Sequence, residues 1–358
     1  MKQVWITRAG SADVMAVREA LDPDPGSGEV RVRIDAVGVN FADVMMRLGI
    51  YPDAPALPAV PGYEASGVID SVGEGVPAAR VGEEVIVFSR FGGYSDTICV
   101  PSGFAFPRPK GVSAAVGAAV IVNYVTAWQM IEVMAPVREG MTVLIHGAAG
   151  GVGLAAVQLC LRRGARVLGT ASAAKHGFLR ERGVAAVFDS RRGGFTASVQ
   201  AATGGKGVDV CLEPRNGRWI MESYRTLGPT GRLVLFGFSD ATTGGFGARM
   251  GSLRTLLRMP WLSLNPIRLM NDNRGVLGVN VGRLWDRSEM VRGWIGEIIA
   301  GLADGWITPH VDRAFRLDDA AAAHRYLEQR RNIGKIVLAT DSGIDAGLDI
   351  LLDGEEGR

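Results

Sequence analysis

The chain has 358 residues, more than one hydrophobic core comfortably serves, so two domains are expected. Its 39 basic and 37 acidic residues leave a formal charge of +2, which excludes the broad positive field of a nucleic-acid binder and points to a small-molecule partner. With 47% hydrophobic and 21% charged residues the composition is that of a globular protein, and 49 glycines, about twice the usual share, imply many tight turns.

Cys99, Cys160 and Cys211 are odd in number and far apart. They can build neither a disulfide framework nor a four-thiolate zinc site, which fits a reducing cytoplasm. Asp13, Arg18, Glu19 and the Pro/Gly cluster at 23–28 interrupt any signal-peptide core, so export is not expected.

From Met1 to about Pro109 short strands are expected at Gln3–Thr7, Glu29–Val39, Ala65–Val72, Glu84–Phe88 and Asp96–Val100, with one helix from about Asn40. Gly, Pro and Asp turns separate them, so this part reads as a mostly antiparallel β domain. The uncharged stretch Gly111–Ile131 reaches membrane-spanning length, yet Asn123, Tyr124, Thr126 and Gln129 interrupt it and a packed helix pair is the expected form. After Met141 strand-like runs at Thr142–His146, Ala165–Thr170, Ala186–Phe188, Val208–Leu212, Gly231–Phe236 and Val276–Val279 alternate with helical stretches. That rhythm is the signature of a parallel sheet built from βαβ units. A helix at Ser288–Ala303, a strand at Val311–Phe315, a helix at Leu317–Arg330 and a strand at Lys335–Ala339 close the chain and are expected to return to the first domain.

The run TVLIHGAAGGVGLAAVQLC sets a buried-type strand before a Gly-rich turn and an Ala/Val/Leu helix after it. A dinucleotide fold needs glycine for the turn itself, where the backbone approaches the pyrophosphate, and where helix and strand pack. Ala148 stands in the first glycine's place of G-x-G-x-x-G, but the context is right, so Gly147, Gly150, Gly151, Val152 and Gly153 are candidate phosphate contacts. An NAD-binding chain offers an acid about 20 residues further on. Here RVLGTASAAKH, residues 166–176, contains none. Instead Ser172 is placed as a helix N-cap and Lys175 in the first helical turn, where the helix dipole disfavours a cation unless a bound 2′-phosphate reverses the effect. NADPH is therefore expected ahead of NADH. Arg191 is a second candidate for the phosphate, and both cations also read as ordinary surface residues.

Together GVNFADVMMRLGIYP, PGYEASG, VNYVTAW, HGAAGGVG, GTASAAKH and RNIGKIVL, in this order, closely resemble the zinc-independent quinone oxidoreductase (zeta-crystallin-like) branch of the medium-chain dehydrogenases/reductases, and within it the vesicle amine transport protein-like group. The resemblance implies an α/β fold: a Rossmann doubly wound parallel sheet at 123–282, and a mostly antiparallel β, GroES-like catalytic domain from 1–122 and 283–358. It further implies a cleft between them, and a homodimer. Where zinc alcohol dehydrogenases would carry metal ligands this sequence has Asn40 and Tyr63, and SRFGGYSDT lacks the cysteines of a structural lobe, so no zinc is expected.

The same resemblance assigns roles. Asn40 would lie by the nicotinamide, projecting its amide toward the cleft, or simply cap its helix. Tyr51 matches a cleft tyrosine that donates a proton or binds a carbonyl oxygen; Tyr63 would shape the pocket or donate a hydrogen bond. Asn123 and Thr126 would flank the cofactor, Thr170 would be among its binding residues, Phe236 and Phe238 would lie near the nicotinamide, and Asn332 would reach the phosphates. Ser190 replaces the family's usual tyrosine, which puts adenine stacking there in doubt. The implied activity is NADPH-dependent hydride transfer to a small hydrophobic quinone, with enones, enals or enoyl thioesters as alternative acceptors. Segment 242–273 carries Leu253, Leu256, Leu257, Trp261, Leu264, Ile267 and Leu269 with Arg254, Arg258 and Arg268. It reads as a lid, a dimer contact or a peripheral membrane contact, the last belonging to a lipid-associated protein that binds NADPH without turnover.

Overall fold

The computed structural model describes residues 1–189, 194–237 and 265–348. It forms two compact units, Met1–Asn123 with Leu284–Arg358, and Tyr124–Arg283. The strands in chain order are β1 (Lys2–Ile6), β2 (Met15–Glu19), β3 (Glu29–Val39), β4 (Glu64–Val72), β5 (Glu84–Phe88), β6 (Thr97–Pro101) and β7 (Ala105–Pro107). There follow β8 (Thr142–His146), β9 (Arg166–Ala171), β10 (Ala186–Asp189), β11 (Val208–Glu213), β12 (Leu227–Leu235), β13 (Gly275–Gly278), β14 (Val311–Arg316) and β15 (Lys335–Ala339).

In the first unit β3 is the organising strand, because its EVRVRIDAVGV pattern sends Val30, Val32 and Ile34 fully into the core. Each such side chain contributes roughly 1.5–3 kcal/mol by leaving water. The sheet runs β14-β15-β3-β4-β5-β7, with β6 also on β3. All ladders are antiparallel except β14 with β15. The returning tail thus inserts β15, buried along its whole length, beside β3 in the middle of the sheet. A separate ribbon pairs β1 with β2. Neither β2 nor β7 was expected from the sequence: β2 pairs only with β1 and exposes Val17, Arg18 and Glu19, while β7 has three residues ending in Pro107 at a sheet edge. Such edge strands carry little hydrophobic alternation to read.

The second unit holds a six-stranded sheet, all parallel, in the order β10-β9-β8-β11-β12-β13. That is the doubly wound dinucleotide-binding order, with the first strand central and the chain reversing direction across it. β12 starts at Leu227, earlier than the Gly231 expected, through a register shift opposite Val208 and Val210 that Gly228 and Pro229 conceal in the sequence.

The apolar stretch once readable as a membrane span breaks into helices Ala114–Gly117 and Ile121–Trp128 and a π-helical turn Gln129–Met134, and its most apolar window is 67% buried. Of segment 242–273, residues 242–264 lie outside the described residues, including its five leading apolar positions and two of its arginines. The remainder contains helix Pro266–Asp272, capped by the Asn265 side chain accepting from Arg268 N at 3.0 Å. Leu269 packs on the Tyr224 cluster while Ile267 and Met270 are exposed.

Candidate functional site

At the phosphate loop β8 ends at His146, Gly147 turns the chain with φ of +63°, and the helix Gly151–Arg162 begins behind Gly150. The first helical turn lies directly on the loop, since a Cβ on Gly153 would fall 2.3 Å from the carbonyl oxygen of Gly147. A glycine cradle at the start of a long helix, where backbone N–H groups and the dipole both favour an anion, fits the pyrophosphate of a dinucleotide. Gly151 and Val152 form the partly buried first residues of that helix.

Beyond β9, Ser172 occupies the N-cap position of a short turn, Ala173–Lys175, but its side chain makes no capping bond, and the α-helix starts only at His176. Lys175 therefore sits at the N-cap position of the helix proper, one residue before it, and both Ser172 and Lys175 are half-buried. Ser190, Arg191 and Phe238 lie outside the described residues.

Under the loop runs a hydrogen-bonded chain that the sequence reading did not anticipate. Ser223 Oγ donates to Glu213 Oε2 at 2.5 Å and lies 3.1 Å from His146 Nε2. A carboxylate only accepts, so Ser223 in turn accepts from His146 Nε2–H, which leaves Nδ1 to accept from the Thr170 hydroxyl at 3.0 Å. Thr170 Oγ1 then receives the Gly147 N–H at 3.4 Å. Thr170, expected among the cofactor contacts, is thus turned inward, 1% exposed, and supports the loop from below. Arg215 closes the far end on Glu213 through Nε at 2.8 Å and Nη2 at 2.9 Å, its guanidinium lying over Trp219. Burial lowers His146 to about 4. Burial works to raise Glu213, but the imidazole of His146 and the guanidinium of Arg215 outweigh it and hold the carboxyl at about 2.

The first unit holds a second buried polar group. Lys335 Nζ, at the head of β15, donates to Asn40 Oδ1 at 2.6 Å and to Glu64 Oε1 at 2.5 Å. Asn40 Nδ2 donates to Glu64 Oε1 at 3.1 Å and to Gly38 O at 3.3 Å. Glu64 Oε2 accepts from Val122 N at 2.9 Å. Gly38 makes room for this packing, because a Cβ there would lie 2.2 Å from Ala118 O and 2.8 Å from Glu64 Oε1. Asn40, expected to cap its helix or to project its amide toward the cleft, is 6% exposed, and its amide is held between Lys335 and Glu64. The opposing charges of those two partners are a stronger attraction than the helix end.

The helix Phe41–Arg47 is instead held by Asp43, whose carboxylate accepts Asn40 N–H at 2.8 Å and Gly62 N–H at 3.1 Å. Tyr94 also donates to Asp43 at 3.2 Å and meets His324 Nε2 at 3.0 Å. Burial pushes Asp43 up to about 7 against the pull of those N–H groups and Lys335.

Tyr51 and Tyr63 meet edge to face at 6.2 Å, and Phe91 lies 5.2 Å beyond Tyr63. Tyr51 is half-buried and its ring joins Ile6, Val14 and Met46. Tyr63 is 6% exposed, and burial raises its phenol far above the usual range, so it can give a hydrogen bond but not a proton near neutrality. Asn123 is buried with Nδ2 on Ala119 O, Phe236 is half-buried, and Asn332 folds back onto Gly334 O at 2.7 Å. The sequence reading passed over Glu64, Lys335, His146 and Glu213, although all four lie in or beside strand motifs it singled out. The available signal was a charged or imidazole side chain at the end of an otherwise apolar strand.

The residues 26–133 match the family model of the alcohol dehydrogenase GroES-like domain, and 182–338 match that of the zinc-binding dehydrogenase. The chain is 36% identical over 324 residues to the human synaptic vesicle membrane protein VAT-1 homolog, covering 90% of this chain and 81% of that protein. It is 29% identical to the quinone oxidoreductase of Rattus norvegicus, covering 94% and 97% of the two chains. Among solved structures, a mycobacterial protein complexed with NADPH superposes with a TM-score of 0.83 at 29% identity, over 95% of this chain and 100% of that one.

Proposed function

This chain belongs to the medium-chain dehydrogenase/reductase superfamily, on the branch shared by quinone oxidoreductase and the VAT-1 homologs, and we propose that it is an NADPH-dependent reductase that passes hydride to a quinone without zinc. The observation that carries this reading is the Lys335 ammonium lodged between Asn40 and Glu64. Zinc is held by thiolate, imidazole or carboxylate. Here the two positions matching metal ligands offer an amide and a phenol, and the neighbouring carboxylate already holds a cation. A divalent ion at Asn40 or Glu64 would meet the Lys335 ammonium, so these residues do not fit zinc.

They do fit a reduced dinucleotide. The Gly147–Gly153 turn receives a pyrophosphate, Lys175 with Ser172 suits a 2′-phosphate, and the absence of an acid at residues 166–176 disfavours the free ribose of NADH. The mycobacterial structure with NADPH supports the same choice. Bound there, NADPH supplies a hydride from its nicotinamide ring. In this reading Asn40 would lie by the ring, and Tyr51 would deliver a proton to the acceptor oxygen as charge builds on it. A quinone is already electrophilic and needs only positioning and that proton, whereas oxidising an alcohol calls for a Lewis acid. The acceptor is small and hydrophobic, and the working form is a cytoplasmic homodimer.

The test is loss of nicotinamide absorbance with NADPH or NADH against a panel of ortho-quinones, para-quinones and enones. Turnover with NADPH and quinones is the expected result. Turnover confined to enones would replace the acceptor with an activated alkene, and tight NADPH binding without turnover would replace catalysis with a lipid-associated role.

A further inference from the structure

Four segments of the first unit that carry Asn40, Tyr63, Asn123 and Asn332 converge on one ion pair. Glu64 follows Tyr63 directly and binds Asn40 Nδ2 and the backbone N–H of Val122, which precedes Asn123. Lys335 opens β15 three residues after Asn332 and reaches Asn40 Oδ1. Glu64 and Lys335 are 0% and 3% exposed, so water competes for neither.

The arrangement gives the Asn40 amide a single orientation. Its carbonyl faces an ammonium and its NH2 faces a carboxylate; a flip would set NH2 against ammonium and oxygen against carboxylate, two repulsions in place of two attractions. Burying such a pair costs solvation that well-packed apolar side chains would not lose, so packing alone is a poor account of it. A metal orients its ligands by the same means, with a fixed central cation.

We propose that Lys335 is a positioning residue for the reduction, its ammonium locking the Asn40 amide and, through Glu64, the segments on either side of it. This rests on the reductase reading above. Asn40 touches the nicotinamide in that reading, and Lys335 acts through Asn40.

The experiment compares the full-length wild type, Lys335→Met and the double variant Glu64→Gln with Lys335→Met. It records thermal unfolding, NADPH affinity and emission maximum by nicotinamide fluorescence, and the single-turnover rate with an ortho-quinone at saturating NADPH. Lys335→Met leaves a buried carboxylate without its cation and lowers the melting temperature; the double variant removes both charges and restores it. The rate is expected to stay about tenfold or more below wild type in both variants, with NADPH affinity changed less than about threefold, because a misoriented amide misplaces the ring without releasing the cofactor. A rate that returns to wild type together with stability in the double variant would overturn the proposal, leaving the pair a purely structural one. If Lys335→Met does not fold, the double variant alone carries the same comparison. If the wild type binds NADPH yet reduces no acceptor, the reductase reading fails separately. The emission maximum then decides: a shift in the double variant upholds the positioning of the ring, and an unchanged spectrum rejects it.

Discussion

Nδ1 of His146 and Oγ1 of Thr170 lie 3.0 Å apart, tying β8 to β9 at a register pair directly beneath the turn at Gly147. The contact sets the tautomer of a fully buried histidine and anchors the first N–H of the phosphate loop. Thr170→Val keeps the shape but leaves His146 Nδ1 and Gly147 N–H without this hydroxyl, a loss of about 1–3 kcal/mol. Thr170→Ser keeps the hydroxyl and loses one methyl, about 0.8 kcal/mol. Urea unfolding should therefore rank Ser above Val, the reverse of strand propensity; a valine variant as stable as wild type would remove the hydroxyl chain from the account.

Acid should unfold this protein in a defined window. Burial holds His146 at about 4 and His324 at about 3, both below the ordinary 6.5. The unfolded chain takes up these protons first, so stability is full above about 6.5 and falls as pH drops toward 4. Glu213, held at about 2 against an ordinary 4.5, acts in the same direction at lower pH. Asp43, raised by burial to about 7, works the other way over this range, so melting temperatures measured from pH 7 to 4 should fall by less than the two histidines alone would give, and His146→Gln should flatten the slope between 6.5 and 4. An unchanged slope in that variant would assign the acid sensitivity elsewhere.

Lys175→Ala tests the coenzyme choice. Removal of a cation facing the 2′-phosphate should weaken NADPH binding about tenfold, or about 1.4 kcal/mol, and leave NADH almost unaffected. Equal losses for both coenzymes in a fluorescence titration would take Lys175 out of the phosphate site.

Tyr51→Phe separates proton delivery from packing. The ring lies among Ile6, Val14 and Met46, and phenylalanine preserves that contact. Steady-state turnover with a quinone should drop about 100-fold with NADPH affinity and melting temperature unchanged, as expected for loss of a general acid. Full activity in the variant would assign the proton to another donor or to water.

The phosphate loop was legible before any coordinates because its requirements are local: a strand, a glycine turn and a helix succeed one another within HGAAGGVG, and each glycine answers a short-range steric demand. Most strands of both sheets were readable for the same reason, through alternation at β3 and apolar runs at β8 and β11. Asn40 shows where that legibility stops. Its place before a helix suggested a cap with a free amide, while the amide is held by a lysine 295 residues away. Thr170 likewise read only as a ligand contact, while its side chain also buttresses the loop, since which face of a strand end meets the interior depends on the neighbouring strand and helix.

By itself the sequence determined the two kinds of sheet, the glycine cradle with no acid after it, and the order of motifs that places the chain in its superfamily, because periodicity and turn chemistry are written in neighbouring residues. Only the tertiary structure decided which charges are buried together. Glu64 meets Lys335 across 271 residues because β15 enters the sheet beside β3, and Ser223 reaches His146 because its helix packs behind β11. Such pairs arise from strand order and register, which no local pattern encodes, and a buried charge is tolerated only where the fold brings its partner.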